Sequence, residues 1–155
     1  MMLSLSACQG ESVPAPSREF SGDDINKLID ADVFSEELET LDADTAYALY
    51  RLADYGLERE DLADCTLIRS AGATCEEAAV LIMADDDVSS VEKLEDMFQA
   101  LEDYLENQIE ANKEYRPAEI PKLEDAFLMR RGYSFVMVVS EAGRNAVKTA
   151  LGVVE

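Results

Sequence analysis

The sequence predicts an α+β domain with two layers, in which helices pack on one face of a four-stranded, mostly antiparallel sheet. Three observations indicate this class. The chain has 155 residues, 48% of them hydrophobic, which suits one globular domain with its own core. After one or two short N-terminal helices, its predicted elements follow a ββαββα order. A long amphipathic segment, residues 90–114, supplies a helix face that can cover the sheet.

Two short helices are predicted before the first strand. The segment Ser21–Asp24 resembles a capping box, and apolar residues at helical spacing follow it to about Asp30. Asp42 or Asp44 caps a second helix, which Gly56 ends. Residues 34–41 have no clear periodicity and are left unassigned. We place the domain at residues 21–152.

Residues 62–70 and 77–84 are predicted to pair as a hairpin. The second strand is continuously apolar, as a central strand buried on both faces would be. The turn is expected near Gly72, which places Cys65 opposite Ala79 and Cys75 opposite Arg69. Because that spacing keeps the two sulfurs too far apart for a disulfide, we expect two free thiols, with Cys65 half-buried.

The helix at residues 90–114 is the clearest element. Ser89 and Glu92 make a capping box, and Asp85–Asp87 stand at the positive end of the helix dipole. One apolar stripe runs along it: Val91, Leu94, Met97, Phe98, Leu101, Tyr104, Leu105 and Ile109. A calcium loop is the alternative interpretation of the three aspartates, but their spacing does not match an EF-hand.

A second hairpin and a final helix complete the domain. Pro117 and Pro121 interrupt the chain after the long helix. Residues 123–130 and 133–140 are predicted to pair around Arg131-Gly132, and Ser140 to cap a short last helix. The result is two ββα units in tandem.

Charge and composition exclude several classes of function. The formal net charge is −21, with 27 acidic and six basic residues between Asp23 and Glu114. Binding to nucleic acid needs a basic face, so we expect none. The chain has no histidine, which removes the usual general base at neutral pH and the histidine-containing metal sites. We assign no catalytic residue, cofactor or metal ligand.

The N-terminal tetrad Leu5-Ser6-Ala7-Cys8 resembles the processing site of bacterial lipoproteins, where Cys8 becomes the lipid-modified N-terminus. Only seven residues precede the cysteine, fewer than an export signal needs, so we expect the printed start to lack most of that signal. The segment Gln9–Ser17 has the composition of a flexible tether. We therefore assign residues 1–20 to the shortened signal, the processing site and the tether. The alternative is a chance match in a cytosolic protein.

Four motifs together resemble a known family. They are Tyr55-Gly56-Leu57 with Asp61, the strand 76–82, Tyr115-Arg116-Pro117, and Gly132-Tyr133 leading into Val138-Val139-Ser140. Their order is similar to that in a family of uncharacterised bacterial lipoproteins, domain of unknown function 4358, over about residues 22–152. The resemblance implies an extracytoplasmic α+β domain. It implies no reaction and no site residues.

Two charged groups are candidates for an interaction surface. Glu102, Glu106, Glu110 and Glu114 repeat every four residues along the long helix, opposite its apolar stripe. They could dock a basic partner or hold cations loosely, or they could be an ordinary solvated face. Arg130 and Arg131, with Arg116, are the clustered cations; the hairpin tip could grip a carboxylate or phosphate, or could simply be solvated.

The function predicted from these features is a non-catalytic binding module, anchored by lipid on Cys8 at the outer face of the cell membrane. Its partner would be an envelope protein or a wall component. A calcium-binding acidic envelope protein is the alternative, and a hydrolase that uses only carboxylates is the third possibility.

Overall fold

The fold is built on one antiparallel sheet. A computed structural model describes residues 18–84 and 91–153. Within them the strands are β1 (Glu39–Leu41), β2 (Leu62–Arg69), β3 (Glu77–Met83), β4 (Phe127–Arg131) and β5 (Ser134–Val139). The helices are α1 (Gly22–Asp30), α2 (Ala43–Leu49), α3 (Val91–Asn112), α4 (Ile120–Glu124) and α5 (Gly143–Leu151). These bounds confirm the α+β class.

Strand β3 lies at the centre of the sheet, whose spatial order is β1-β2-β3-β5-β4. It pairs with β2 on one side, with Arg69 opposite Glu77, and with β5 on the other, with Ala79 opposite Met137. Six of the seven β3 residues are buried. The prediction of a central strand is therefore confirmed.

The prediction that helices cover one face only is wrong, because helices pack on both faces of the sheet. One core contains Leu67, Ala79, Leu81 and Met137 together with residues of α2 and α3. The other contains Ile68, Ala78, Val80 and Val138 together with residues of α1 and α5. Every residue of β5 is buried, so both sides of the central strands need a hydrophobic cover.

The sheet has five strands within the described residues, not the predicted four. The additional strand, β1, pairs antiparallel with β2 and places Thr40 opposite Ile68. It falls in the segment left unassigned by sequence. A strand of three residues is too short to show an alternating pattern.

Helix α3 is close to its predicted bounds, and Leu94, Met97, Leu101 and Tyr104 of the stripe are buried. Val91 is an exception, since 68% of its surface is exposed. The predicted capping residues Ser89 and Asp85–Asp87 lie outside the described residues, as does Cys8.

Several other predicted boundaries shift. Asp42 caps α2 by accepting a hydrogen bond from the Thr45 N–H at 2.7 Å, but the helix ends before Arg51, whose φ is +54°. A 3₁₀ turn, Leu52–Tyr55, follows and ends at Gly56, where φ is +77°.

At the C-terminal end of the domain, part of the predicted strand 123–130 is helix α4, which has Pro121 in its first turn, so that β4 starts at Phe127. Helix α5 begins at Gly143, and Ser140 Oγ accepts a hydrogen bond from its N–H at 3.1 Å.

Cys65 and Cys75 are free thiols, as predicted. The hairpin turn is displaced from the expected position, because Cys65 lies opposite Leu81 and not Ala79. Burial raises the pKa of the Cys65 thiol to about 12 and also raises that of Cys75. Both are therefore thiols rather than thiolates at neutral pH.

The cover provided by α1 can be tested with two neighbouring residues of that helix. Leu28 is 0% exposed and packs in the core beneath α1, whereas Ile29 is 51% exposed. We expect Leu28→Ala to lower the free energy of unfolding by about 2–5 kcal/mol. The matched control Ile29→Ala should change it by no more than about 0.5 kcal/mol. Urea unfolding measures both, and equal effects would mean that α1 does not cover the sheet as described.

Candidate functional site

The four predicted glutamates, Glu102, Glu106, Glu110 and Glu114, are all exposed, and we call them the acidic ridge. The first three lie on α3, and Glu114 lies two residues beyond its last residue, Asn112. Glu110 pairs with Lys113 at 2.8 Å; among the described residues no ion pair reaches the other three. The ridge is therefore a surface of largely uncompensated negative charge.

The three arginines do not form one cluster. Arg131 lies with its guanidinium carbon 4.7 Å from the centre of the Phe20 ring, on the α1 side of the sheet. Arg130 points to the opposite side and donates a hydrogen bond to the Gly132 carbonyl at 3.2 Å. Successive residues of a strand face opposite ways, so these two guanidinium groups cannot grip one anion together.

Arg116 lies apart from both and has a structural role. Its Nη1 donates hydrogen bonds to the carbonyls of Gly72 and Thr74, at 3.0 and 3.1 Å, and its Nε donates to Asn112. It therefore joins the end of α3 to the turn between β2 and β3.

A groove runs along the outer side of β4, which is an edge strand. It consists of two adjoining cavities of about 380 and 410 Å³ that share Phe98. We call it the β4 groove. Its floor and walls are formed by Leu94, Glu95, Phe98 and Glu102 of α3, by residues 126–130 and by Arg144 and Lys148 of α5.

The two walls of the β4 groove carry opposite charges. The α3 wall presents Glu95 and Glu102, with Arg130 of β4 in the same cavity as Glu95, so its net charge is negative. Glu102 also belongs to the acidic ridge. The α5 wall presents Lys148 and Arg144, whose Nε lies 3.9 Å from Asp125 Oδ1, so its net charge is positive. Arg144 is held in place because its Nε donates to the Ala126 carbonyl at 3.2 Å. A molecule bound along β4 would therefore meet negative charge on one side and positive charge on the other.

A buried polar cluster, which was not predicted from the sequence, lies under α2 and α3. Glu77 of β3, whose side chain is 3% exposed, accepts hydrogen bonds from three groups. Tyr50 and Tyr104 each donate a hydroxyl at 2.6 Å, and Arg69 Nε donates at 2.8 Å. The two tyrosine rings meet edge to face at 4.8 Å. The cluster thus ties both helices to the centre of the sheet.

Burial dominates the electrostatics of this cluster. It raises the pKa of Glu77, although the hydrogen bonds from Tyr104 and Tyr50 and the charge of Arg69 act in the opposite direction. Burial and the nearby Glu77 carboxylate also raise the pKa of both tyrosines, Tyr50 and Tyr104. One signal in the sequence could have identified the buried carboxylate, since Glu77 shares its strand face with Ala79 and Leu81.

The adjacent Glu76 is fully buried and accepts hydrogen bonds on the other face of the sheet. Its Oε1 accepts hydrogen bonds from the backbone N–H groups of Ser35 and Glu141, at 3.0 and 2.8 Å. It therefore fixes the loop after α1 and the start of the segment that leads to α5.

A second groove, of about 480 Å³, lies beside β1 at the other edge of the sheet. Ile29, Phe34 and Ile68 form its apolar part, while its charged residues, Asp32, Glu36 and Glu37, are all acidic. The neighbouring β1 strand has only three residues, so this edge offers fewer backbone groups than β4.

The described residues contain neither a metal-binding group of side chains nor a membrane-spanning helix. No group of three or more histidine, cysteine, aspartate or glutamate side chains there is arranged to hold a metal ion. No helix in the same residues has both the length and the apolar character needed to cross a bilayer.

The raised pKa of Glu77 predicts how stability responds to pH. Because the folded state holds this proton more tightly, stability is lost as the pH rises from the ordinary glutamate range towards the shifted pKa. Arg69→Gln removes the positive charge and the hydrogen bond that keep the pKa of Glu77 from rising further. We expect the variant to be destabilised little near about pH 4 and by up to about 3–5 kcal/mol near neutral pH.

Urea unfolding of wild type and Arg69→Gln across this pH range measures the effect. Arg130→Gln, which removes an exposed guanidinium from the same sheet, is the control and should cost little at any pH. A loss of stability in Arg69→Gln that does not depend on pH would contradict the electrostatic role of the buried pair.

Comparison with known proteins identifies the family. The family described as Domain of unknown function (DUF4358) matches residues 37–140, about two thirds of the chain and less than the range of about 22–152 expected from the motifs. The match runs from just before β1 to just after β5. Neither the curated proteins nor the solved structures gave a match. The resemblance to domain of unknown function 4358 is confirmed, and the chain belongs to this family.

Proposed function

We propose that the protein is a binding module, anchored by lipid on Cys8 at the outer face of the cell membrane, whose domain holds another envelope protein through the β4 groove. Binding is proposed rather than catalysis because the chain has no histidine to serve as a general base at neutral pH. The proposal combines a sequence motif for the anchor with a surface feature for the contact.

The observation that carries the binding proposal is the β4 groove itself. Its two cavities combine apolar groups, among them Leu94 and Phe98, with charged groups on both walls. Apolar floors that supply contact area and a few polar groups that fix orientation are typical of binding sites. The acidic ridge continues from Glu102 away from the groove and would attract a partner whose flanking residues are basic.

The anchor proposal rests on the tetrad Leu5–Cys8 and the tether that follows it. Diacyl modification would give stable attachment without a membrane-spanning helix. Arg18, the first described residue, lies beside the hairpin of β4 and β5, because its carbonyl accepts a hydrogen bond from Arg131. Nine residues lie between Cys8 and Arg18, which is ten Cα–Cα steps, so an anchored hairpin would stay within about 35 Å of the membrane.

The anchor is tested by Cys8→Ser. In the native cell, we expect the wild-type protein to be found in the membrane fraction and the variant to lose that attachment. Mass spectrometry of the wild-type N-terminal peptide should detect a lipid on Cys8. Cys65→Ser, which removes a half-buried thiol, is the control and should leave fractionation unchanged. An unmodified Cys8 in native material would end the anchor proposal.

The contact is tested by photo-crosslinking in intact cells. A photoreactive phenylalanine analogue replaces either Arg130, which is exposed in the β4 groove, or Glu60, which is exposed elsewhere. We expect a discrete crosslinked protein from position 130 and not from position 60. Equal labelling from both positions, or none from position 130, would mean that the groove is not where a partner binds.

A further inference from the structure

We propose that the β4 groove binds an extended polypeptide segment as an additional strand, with basic side chains directed to the α3 wall and acidic side chains to the α5 wall. The proposal builds on the proposed function, since it names how the groove would hold a partner and what chemistry the partner would have. It follows from the backbone of β4 and from the charges of the two walls.

The backbone of β4 has an open side. It pairs with β5 from Phe127 opposite Val138 to Arg131 opposite Ser134, and no further strand from residues 18–84 or 91–153 follows it in the sheet. In an antiparallel ladder, alternate residues turn their N–H and C=O groups away from the partner strand. Within the described residues, no hydrogen bond outside the ladder involves a backbone group of residues 127–130. This row of groups is a template for strand addition.

The walls determine which side chains such a strand would carry. Side chains of an added strand alternate between the two faces of the sheet. Those on one face would meet Phe98 and a net negative group of charges, Glu95 and Glu102 with Arg130. Those on the other face would meet Arg144 and Lys148. A segment in which basic or apolar residues alternate with acidic or small polar residues would satisfy both walls.

A second copy of this chain fits the groove poorly. Two β4 strands paired antiparallel around a two-fold axis would place α3 beside its counterpart, because both helices lie on the same face of the extended sheet. Glu102 and Glu106 would then approach the same glutamates of the other copy. The tether Gln9–Ser17 is also a poor strand, since it contains Pro14 and Pro16.

The test uses two synthetic peptides of identical composition. The first, Lys-Thr-Val-Glu repeated twice, places lysine and valine on one face of a strand and threonine and glutamate on the other. The second, Lys-Lys-Thr-Val-Val-Thr-Glu-Glu, mixes both charges on each face. We expect the alternating peptide to bind at least about tenfold more tightly to the full chain. Amide chemical shifts should change, and hydrogen exchange should slow, at residues 127–131.

Charge reversals then test the two walls. Glu102→Lys leaves Glu95 as the one acidic group beside Arg130, so the α3 wall becomes net positive. Lys148→Glu leaves Arg144, which pairs with Asp125, so the α5 wall becomes net negative. Each variant should bind the alternating peptide about fivefold or more weakly than wild type. The double variant Glu102→Lys/Lys148→Glu should restore binding, because the peptide can turn over to present its other face. Its net charge equals that of wild type. Glu114→Lys, which reverses an exposed ridge residue outside the groove, is the control and should have little effect.

Several results would overturn the proposal. Equal affinity for the two peptides would indicate simple attraction to an acidic protein. Weaker peptide binding by the double variant than by either single variant would mean that the charges of the two walls do not orient the peptide. Protection of the outer β4 amides before peptide is added would mean that the chain itself, or a second copy, occupies the edge. These results leave the lipid on Cys8 and the crosslink at position 130 untouched, so the two proposals fail separately.

Discussion

Two adjacent carboxylates at the start of β3 hold the layers of this domain together. Glu77 faces α2 and α3 and accepts hydrogen bonds from Tyr50, Tyr104 and Arg69. Glu76 faces the other way and accepts backbone hydrogen bonds from Ser35 and Glu141. Since neighbouring strand residues point to opposite faces, one dipeptide serves both sides of the sheet. Such buried charges are costly unless fully bonded, and this constrains the position of every element around them.

Local patterns explain which parts of the fold were predictable. The apolar run of β3 and the stripe of α3 are periodic over many residues, so their burial follows from sequence alone. The helices on the second face could not be assigned in the same way. The amphipathic pattern of α1 shows that it must pack, but not on which side of the sheet. Strand β1, with three residues, is too short to carry a pattern at all.

In the candidate site, too, the features set by local spacing were predictable, whereas those set by the arrangement of the strands were not. The exposure of Glu102, Glu106 and Glu110 follows from helical spacing, which is a local property. The β4 groove depends instead on the pairing of β5 with β3, which leaves β4 at the edge. Neighbouring residues in a strand also face apart, so the proximity of Arg130 and Arg131 in sequence did not bring their side chains together.

The limits of the family match have a consequence for the minimal folding unit. Residues 37–140 contain the whole sheet with α2, α3 and α4, but neither α1 nor α5. Those two helices provide Ile25, Leu28, Val147 and Leu151 to the core on their side of the sheet. A polypeptide cut to the matched range would expose Val80, Val136 and Val138 to water as a contiguous apolar surface, and such surfaces promote aggregation. The range matched by the family is therefore narrower than the range needed to cover both faces of the sheet.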